Sequence, residues 1–130
     1  MDQRLFAAAS AAMERAYAPY SKFQVGAAIL AENGQIYGGC NVENAAYPVG
    51  TCAEAGAIAA MVRDGARQIR EIVVIARGDM LCTPCGGCRQ RIREFAAPEV
   101  KVHVCGPEGL RRTFTRDELL PASFGPENLP

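Results

Sequence analysis

Glu71-Ile72-Val73-Val74-Ile75-Ala76 is dominated by β-branched residues with no polar alternation, the pattern of a strand buried on both faces. Such a strand needs cover above and below, and the residues on either side of it supply helices. Upstream, Thr51 opens an Ala-rich run that lasts to about Asp64 and is closed by Gly65. Downstream, Thr83-Pro84 pairs an N-cap residue with proline at the first helical position and starts a helix over 84–96. Beyond it Val100-Lys101-Val102-His103-Val104 alternates as a strand, and Gly106-Pro107-Glu108-Gly109 turns the chain. Leu110 to Thr115 then returns as an edge strand, and Asp117-Glu118-Leu119-Leu120 makes one more helical turn. Toward the N-terminus, apolar runs at 25–30 and 35–40 flank Glu32-Asn33-Gly34, which predicts an antiparallel hairpin. Leu5, Phe6, Ala9, Met13, Ala16 and Tyr17 recur at helical spacing until Pro19, predicting an amphipathic helix over 2–17. The expected fold class is α/β: a three-layer αβα sandwich with a mixed five-stranded sheet, in a single domain spanning 1–130.

Composition narrows the function. The 130 residues are 49% hydrophobic, enough to build a core, so intrinsic disorder is excluded. Fourteen basic residues balance fourteen acidic ones. The two halves of the chain differ only between −2 and +2, with no basic arm or acidic tail. Tracking a nucleic-acid backbone requires clustered Lys and Arg, so a small substrate is expected and no nucleic-acid partner. Arg89, Arg91 and Arg93 cluster in sequence, but alternate positions on a helix do not share a face. The N-terminal segment lacks the apolar region of a secretory signal, and no stretch approaches a membrane span. A cytoplasmic protein with no membrane partner is expected, and there six cysteines read as metal ligands, catalytic groups or core residues rather than disulfides.

Cysteine spacing is the informative feature. Cys85 and Cys88 stand three apart at the start of the third helix, and Cys52 lies just inside the second. Helix N-termini favour thiolate over thiol. Three thiolates from two helix starts can hold Zn²⁺ and leave a fourth position open, the mark of a catalytic zinc. Glu54, two residues after Cys52, can stand beside that position without being a ligand, taking a proton from activated water and returning it to a substrate nitrogen. Cys52-Ala53-Glu54 followed by Pro84-Cys85-Gly86-Gly87-Cys88 matches the zinc-deaminase pattern of His or Cys, any residue, Glu, then Pro-Cys-x-x-Cys. Each half alone has a plainer reading. Thr51-Cys52-Ala53-Glu54 also fits a capping box, and Cys85-x-x-Cys88 fits a redox pair or two core cysteines. Cys82 extends an iterated Cys-x-x-Cys resembling ferredoxin runs, but Ile92 and Arg93 stand where the fourth cysteine and its proline belong. Thr83-Pro84 is expected to turn Cys82 away from the other two sulfurs. Cys40 and Cys105 end strands and read as packing residues, and His103, with no acid nearby in sequence, reads as structural.

With those motifs in hand, the chain closely resembles the short, homotetrameric cytidine deaminases of pyrimidine salvage. Tyr17-Ala18-Pro19-Tyr20-Ser21-Lys22-Phe23-Gln24-Val25-Gly26-Ala27-Ala28 looks like that family's N-terminal signature. Gly39-Cys40-Asn41-Val42-Glu43-Asn44-Ala45-Ala46-Tyr47 looks like its substrate segment, and Leu119-Leu120-Pro121-Ala122-Ser123-Phe124 like its C-terminal motif. The resemblance implies that Cys52, Cys85 and Cys88 bind zinc and that Glu54 is the proton shuttle. It also implies that Phe23 stacks on the pyrimidine and that Asn41 and Glu43 bond the ribose hydroxyls. Backbone groups around Ala53 would read the base edge, and Phe124 would reach a neighbouring subunit's site. Alternate residues of an extended segment point the same way, as the Asn41 and Glu43 roles require.

The implied activity is hydrolytic deamination of cytidine and 2′-deoxycytidine to uridine and 2′-deoxyuridine with release of ammonia, in a homotetramer. Several three-cysteine members carry Arg directly after the catalytic Glu, where its charge offsets the thiolates. Here that position is Ala55, and Arg89, beside Cys88 in sequence, is the expected substitute cation. Three other classes stay open on the residues alone. A polynucleotide deaminase would show a basic, aromatic-studded channel. A blasticidin S-type deaminase shares fold and zinc motif and differs in substrate. A structural zinc module would need a fourth protein ligand, for which Cys82 is the only plausible source.

Overall fold

The computed structural model describes all residues 1–130. Helix α1 (Gln3–Glu14) starts at Asp2, whose carboxylate accepts the Arg4 backbone N–H at 2.9 Å. It ends short of the expected 2–17 because Tyr17 leaves the helix to pair with the segment around Val42, its N–H donating to the Asn41 carbonyl and its carbonyl accepting from Glu43. The hairpin forms as expected from β1 (Val25–Ala31) and β2 (Ile36–Cys40). Helix α2 (Ala53–Arg63) follows and closes with two stacked hydrogen bonds, Gly65 N–H to the Val62 carbonyl and Ala66 N–H to the Met61 carbonyl. Gly65 sits at φ +93°, the left-handed conformation that this closure needs.

Next come β3 (Ile69–Ala76), α3 (Gly86–Phe95), β4 (Ala96–Gly106), β5 (Gly109–Thr115) and α4 (Arg116–Leu119). Strands β3 and β4 begin earlier than the hydrophobic runs that announced them, since backbone pairing extends past the apolar residues. The sheet order is β2-β1-β3-β4-β5. β1 pairs antiparallel with both β2 and β3, β3 pairs parallel with β4, and β5 closes the edge antiparallel to β4. This is the mixed five-stranded sheet expected.

β3 is buried on both faces as its composition demands. Ile72 and Val74 enter a core with α2 and α3, formed with Ala57, Met61, Ile92 and Val102. Val73 and Ile75 face the other way, against Leu5, Ala9 and Met13 of α1. Helices therefore cover both faces, and the three layers follow from alternation along one strand. No helix is long and apolar enough to cross a membrane.

Candidate metal centre and active site

β2 and β3 run in the same direction, each antiparallel to β1 between them, so α2 after β2 and α3 after β3 begin at the same end of the sheet. Ligand sites in open α/β sheets occur at such strand ends. The helices start later than their sequences suggest. Cys52 is the N-cap of α2 and Cys85 the N-cap of α3, in place of the expected Thr51 and Thr83, and neither cysteine side chain makes a cap hydrogen bond. The Thr51–Glu54 capping box does not form. Thr51 pairs through its backbone with Val42, at 2.9 and 3.0 Å, and the Thr83 hydroxyl accepts a hydrogen bond from Arg89.

The shift puts Cys85 and Cys88 at the N-cap and third helical positions, which face each other across a first turn. The Sγ atoms of Cys52, Cys85 and Cys88 all lie within 4.8 Å of one another, and Cys52 and Cys85 are 3.9 Å apart. Tetrahedral zinc with Zn–S bonds of about 2.3 Å separates its sulfurs by about 3.8 Å, so spacing and soft thiolate chemistry both fit zinc. Cys88 is fully buried, and burial above all pushes its thiol, like that of Cys52, upward. Cys85 goes the other way, drawn below its ordinary value chiefly by the nearby Cys88 backbone N–H.

Glu54 lies in the first turn of α2, only 4% exposed, and is not one of the three clustered donors. Burial is the main cause raising its carboxyl pKa, partly opposed by hydrogen bonding around its own backbone and Cys88 and by the charge of Arg91. A carboxyl raised in this way is suited to carrying a proton in both directions.

These groups border a pocket of about 530 Å³, whose lining includes Asn41, Glu43, Ala53, Glu54, Cys52 and Cys85. Six of the expected site residues thus share one cavity, two of them cysteines of the three-sulfur group. Asn41 and Glu43 also hold the pocket rim. The Asn41 side chain accepts the Val25 N–H and donates to the Phe23 carbonyl, both at 2.9 Å. The Glu43 carboxylate accepts the Tyr20 and Ser21 N–H groups at 3.0 Å and the Ser21 hydroxyl, interactions that keep it below the usual carboxylate range. Phe23 and Phe124 are not brought into the pocket lining. They are 43% and 57% exposed, and Phe124 rides on a tail tied to α3 by Gln90 and Arg93.

Two expectations need correction, those for Cys82 and Arg89. Cys82 is not turned away: it lines the same pocket, half-buried, though outside the three-sulfur group. His103 keeps its structural reading: it is buried, with Glu71 of β3 at 2.5 Å from its Nε2 and Thr113 bonded to its Nδ1. Arg89 does not reach a sulfur. Its guanidinium donates to the Pro84 carbonyl at 2.7 Å, the Leu119 carbonyl at 2.9 Å and the Thr83 hydroxyl at 3.1 Å, clasping the loop before α3 to the end of α4. The cation at the sulfurs is Arg91, with Nη1 3.4 Å from Cys88 Sγ. Its position three residues after Cys88 on one helix was the available signal. Cys105, by contrast, packs as expected: it is buried against the Met1 sulfur, and its thiol is pushed up to about 11, chiefly by burial.

A family model described as the cytidine and deoxycytidylate deaminase zinc-binding region matches residues 1–104. A cytidine deaminase of Sporosarcina psychrophila is 44% identical over 127 residues, covering 98% of this chain and 93% of that one. A second, from Halalkalibacterium halodurans, is 39% identical over 127 residues, with 98% and 96% covered. The crystal structure of cytidine deaminase from Burkholderia pseudomallei superposes with a TM-score of 0.89 at 39% identity, covering 95% of this chain and 99% of that one. Since sequence, fold and the zinc-compatible sulfur cluster agree over nearly the full length, this chain belongs to the zinc-binding cytidine and deoxycytidylate deaminase family.

Proposed function

We propose that this chain catalyses hydrolytic deamination of cytidine and 2′-deoxycytidine, releasing ammonia, in pyrimidine salvage. The observation that carries this reading is the buried Glu54 carboxyl set beside the Cys52–Cys85–Cys88 cluster, with Glu54, Cys52 and Cys85 on one pocket wall and Cys88 buried behind it. Cys52, Cys85 and Cys88 hold the zinc, which when bound supplies Lewis-acid activation of water at neutral pH. Glu54 takes the proton from the water that attacks C4 of the pyrimidine, delivers it to N3, and then helps protonate the departing amine. Burial of Glu54 excludes bulk water from that exchange and keeps the proton within the site.

Substrate contacts follow from unused bonding capacity. A carboxylate offers about four acceptor sites, and the three contacts to Glu43 leave room for a ribose hydroxyl. Asn41 keeps a second amide hydrogen and a second carbonyl lone pair for the same sugar. Backbone groups at Ala53, the first residue of α2, read the base edge, and Phe23, outside the lining but between the lining residues Ser21 and Val25 in the chain, is assigned to stack on the ring.

Homotetramer formation completes the pocket, with Phe124 reaching a neighbouring subunit's site. Exposed Tyr17, Tyr20, Phe23, Tyr47, Val49 and Phe124 support this, because so many large apolar groups in water are characteristic of an interface. Residues 1–130 act as one domain, since α4 lies on β4 and buried Arg116 donates to the Ala96 carbonyl. A cytoplasmic setting suits an enzyme whose six cysteines are all free.

The test is ammonia release from cytidine, deoxycytidine and free cytosine, with zinc content measured on the same sample. Turnover of the nucleosides alone, with about one zinc per chain, is expected. A zinc-loaded protein inert on both nucleosides would overturn the substrate assignment.

A further inference from the structure

Three thiolates on a divalent ion leave one negative charge in excess, which weakens the ion as a Lewis acid unless a cation stands nearby. Three arginines of α3 are close enough in sequence to serve, and the structure separates them. Arg89 is engaged by Pro84, Leu119 and Thr83, and Arg93 by Ser123 and Glu127. Arg91 is the one whose guanidinium meets a sulfur, and it forms no ion pair with any carboxylate.

Its placement has a local cause. Helical side chains lean toward the N-terminus, so a residue three positions after Cys88 folds back over the first turn of α3. There it crosses Gly87, where a Cβ would stand 3.2 Å from Arg91 Nη1; glycine leaves the passage clear. A cation at the start of a helix opposes the helix dipole, so the thiolates must supply the attraction that holds it there.

We propose that Arg91 is a positioning residue of the metal centre: through Cys88 it offsets the excess negative charge of the three sulfurs and limits the electron density they donate to the ion. The role rests on the zinc-deaminase reading above, and it makes this centre dependent on a side chain outside both the Cys-Ala-Glu and the Pro-Cys-x-x-Cys motifs.

The experiment compares wild type, Arg91→Gln and Arg91→Lys, each loaded with Co²⁺ for absorption and with Zn²⁺ for kinetics. Loss of the cation raises the energy of the sulfur lone pairs, so the thiolate-to-cobalt charge-transfer band of Arg91→Gln should move to longer wavelength. Its kcat on cytidine should fall about tenfold with KM unchanged, as expected when only the barrier changes. Arg91→Lys, which keeps the charge, should recover most of both effects. An unmoved band and a kcat within about twofold of wild type in Arg91→Gln overturn the proposal, as does an equal loss in Arg91→Lys. Wild type inert on cytidine would refute the substrate reading instead, and the cobalt band would still report on Arg91.

Discussion

Glu54 is proposed as the proton carrier and lies outside the cluster of metal donors, and that separates its loss from the loss of a cysteine. Glu54→Gln keeps the shape and the sulfur cluster but not the base, so activity on cytidine should fall by about 10³-fold or more while zinc content and the thermal transition stay near wild type. Cys88→Ser should lose zinc and activity together. Steady-state assays beside metal analysis of the two purified variants distinguish these outcomes. At this scale the sequence was most readable where chemistry is packed into a short span: Cys52-Ala53-Glu54 and Pro84-Cys85-Gly86-Gly87-Cys88 carry the centre almost alone. It was least readable where partners lie far apart in the chain. Glu71 meets His103 only because β3 and β4 are neighbours. Arg89 drew attention by standing next to Cys88, yet adjacent helical residues point in different directions and Arg91 is the one that comes round to the sulfur.

Helix α2 can present its start to the pocket because it lies almost in contact with the backbone of β2. A Cβ on Gly39 would stand 2.3 Å from Ala57 N, 2.4 Å from Ala53 O and 2.8 Å from Gly56 C, all main-chain atoms of α2. Gly39→Ala must push the helix away, and with it Cys52 and Glu54. A loss of at least about 3 kcal/mol in urea unfolding is expected, together with weaker zinc retention. The elements themselves were legible from periodicity and turn residues, but the helix starts were not. Thr51 and Thr83 are strong caps by residue type, whereas tertiary contacts with Val42 and Arg89 claim them and leave the N-cap positions to cysteine. Both helices consequently start on a sulfur, so removing zinc with a chelator should raise amide hydrogen exchange first in the opening turns of α2 and α3. Faster exchange spread evenly over the sheet would contradict that coupling.

On the scale of the molecule, the sheet joins groups on opposite sides of the fold to one stability. His103 is buried between Glu71 and Thr113, and burial lowers its pKa below the ordinary 6.5 more than Glu71 raises it. The unfolded chain then binds the proton more readily than the folded one, so stability rises with pH in this range and falls as the pH drops below 6.5. Urea melts between about pH 7.5 and pH 5.5 should show that slope, and His103→Gln should flatten it. The α/β architecture was legible from one doubly buried strand, whereas assembly was not, because exposed Tyr47 and Phe124 have no sequence periodicity that distinguishes them from core residues. Light scattering across a dilution series should give a tetramer, and Phe124→Ala should raise the KM for cytidine if that ring completes a neighbour's pocket. The strand order carries one more consequence. Cys52 starts the helix after β2 and Cys85 the helix after β3, so the two sulfurs meet only when the insertion of β3 beside β1 is in place. A chain in which that insertion fails offers the ion two sulfurs rather than three, and loses much of the free energy by which metal binding stabilises the native state. Zinc binding is therefore expected to favour chains whose central strand is in register over those in which it is not.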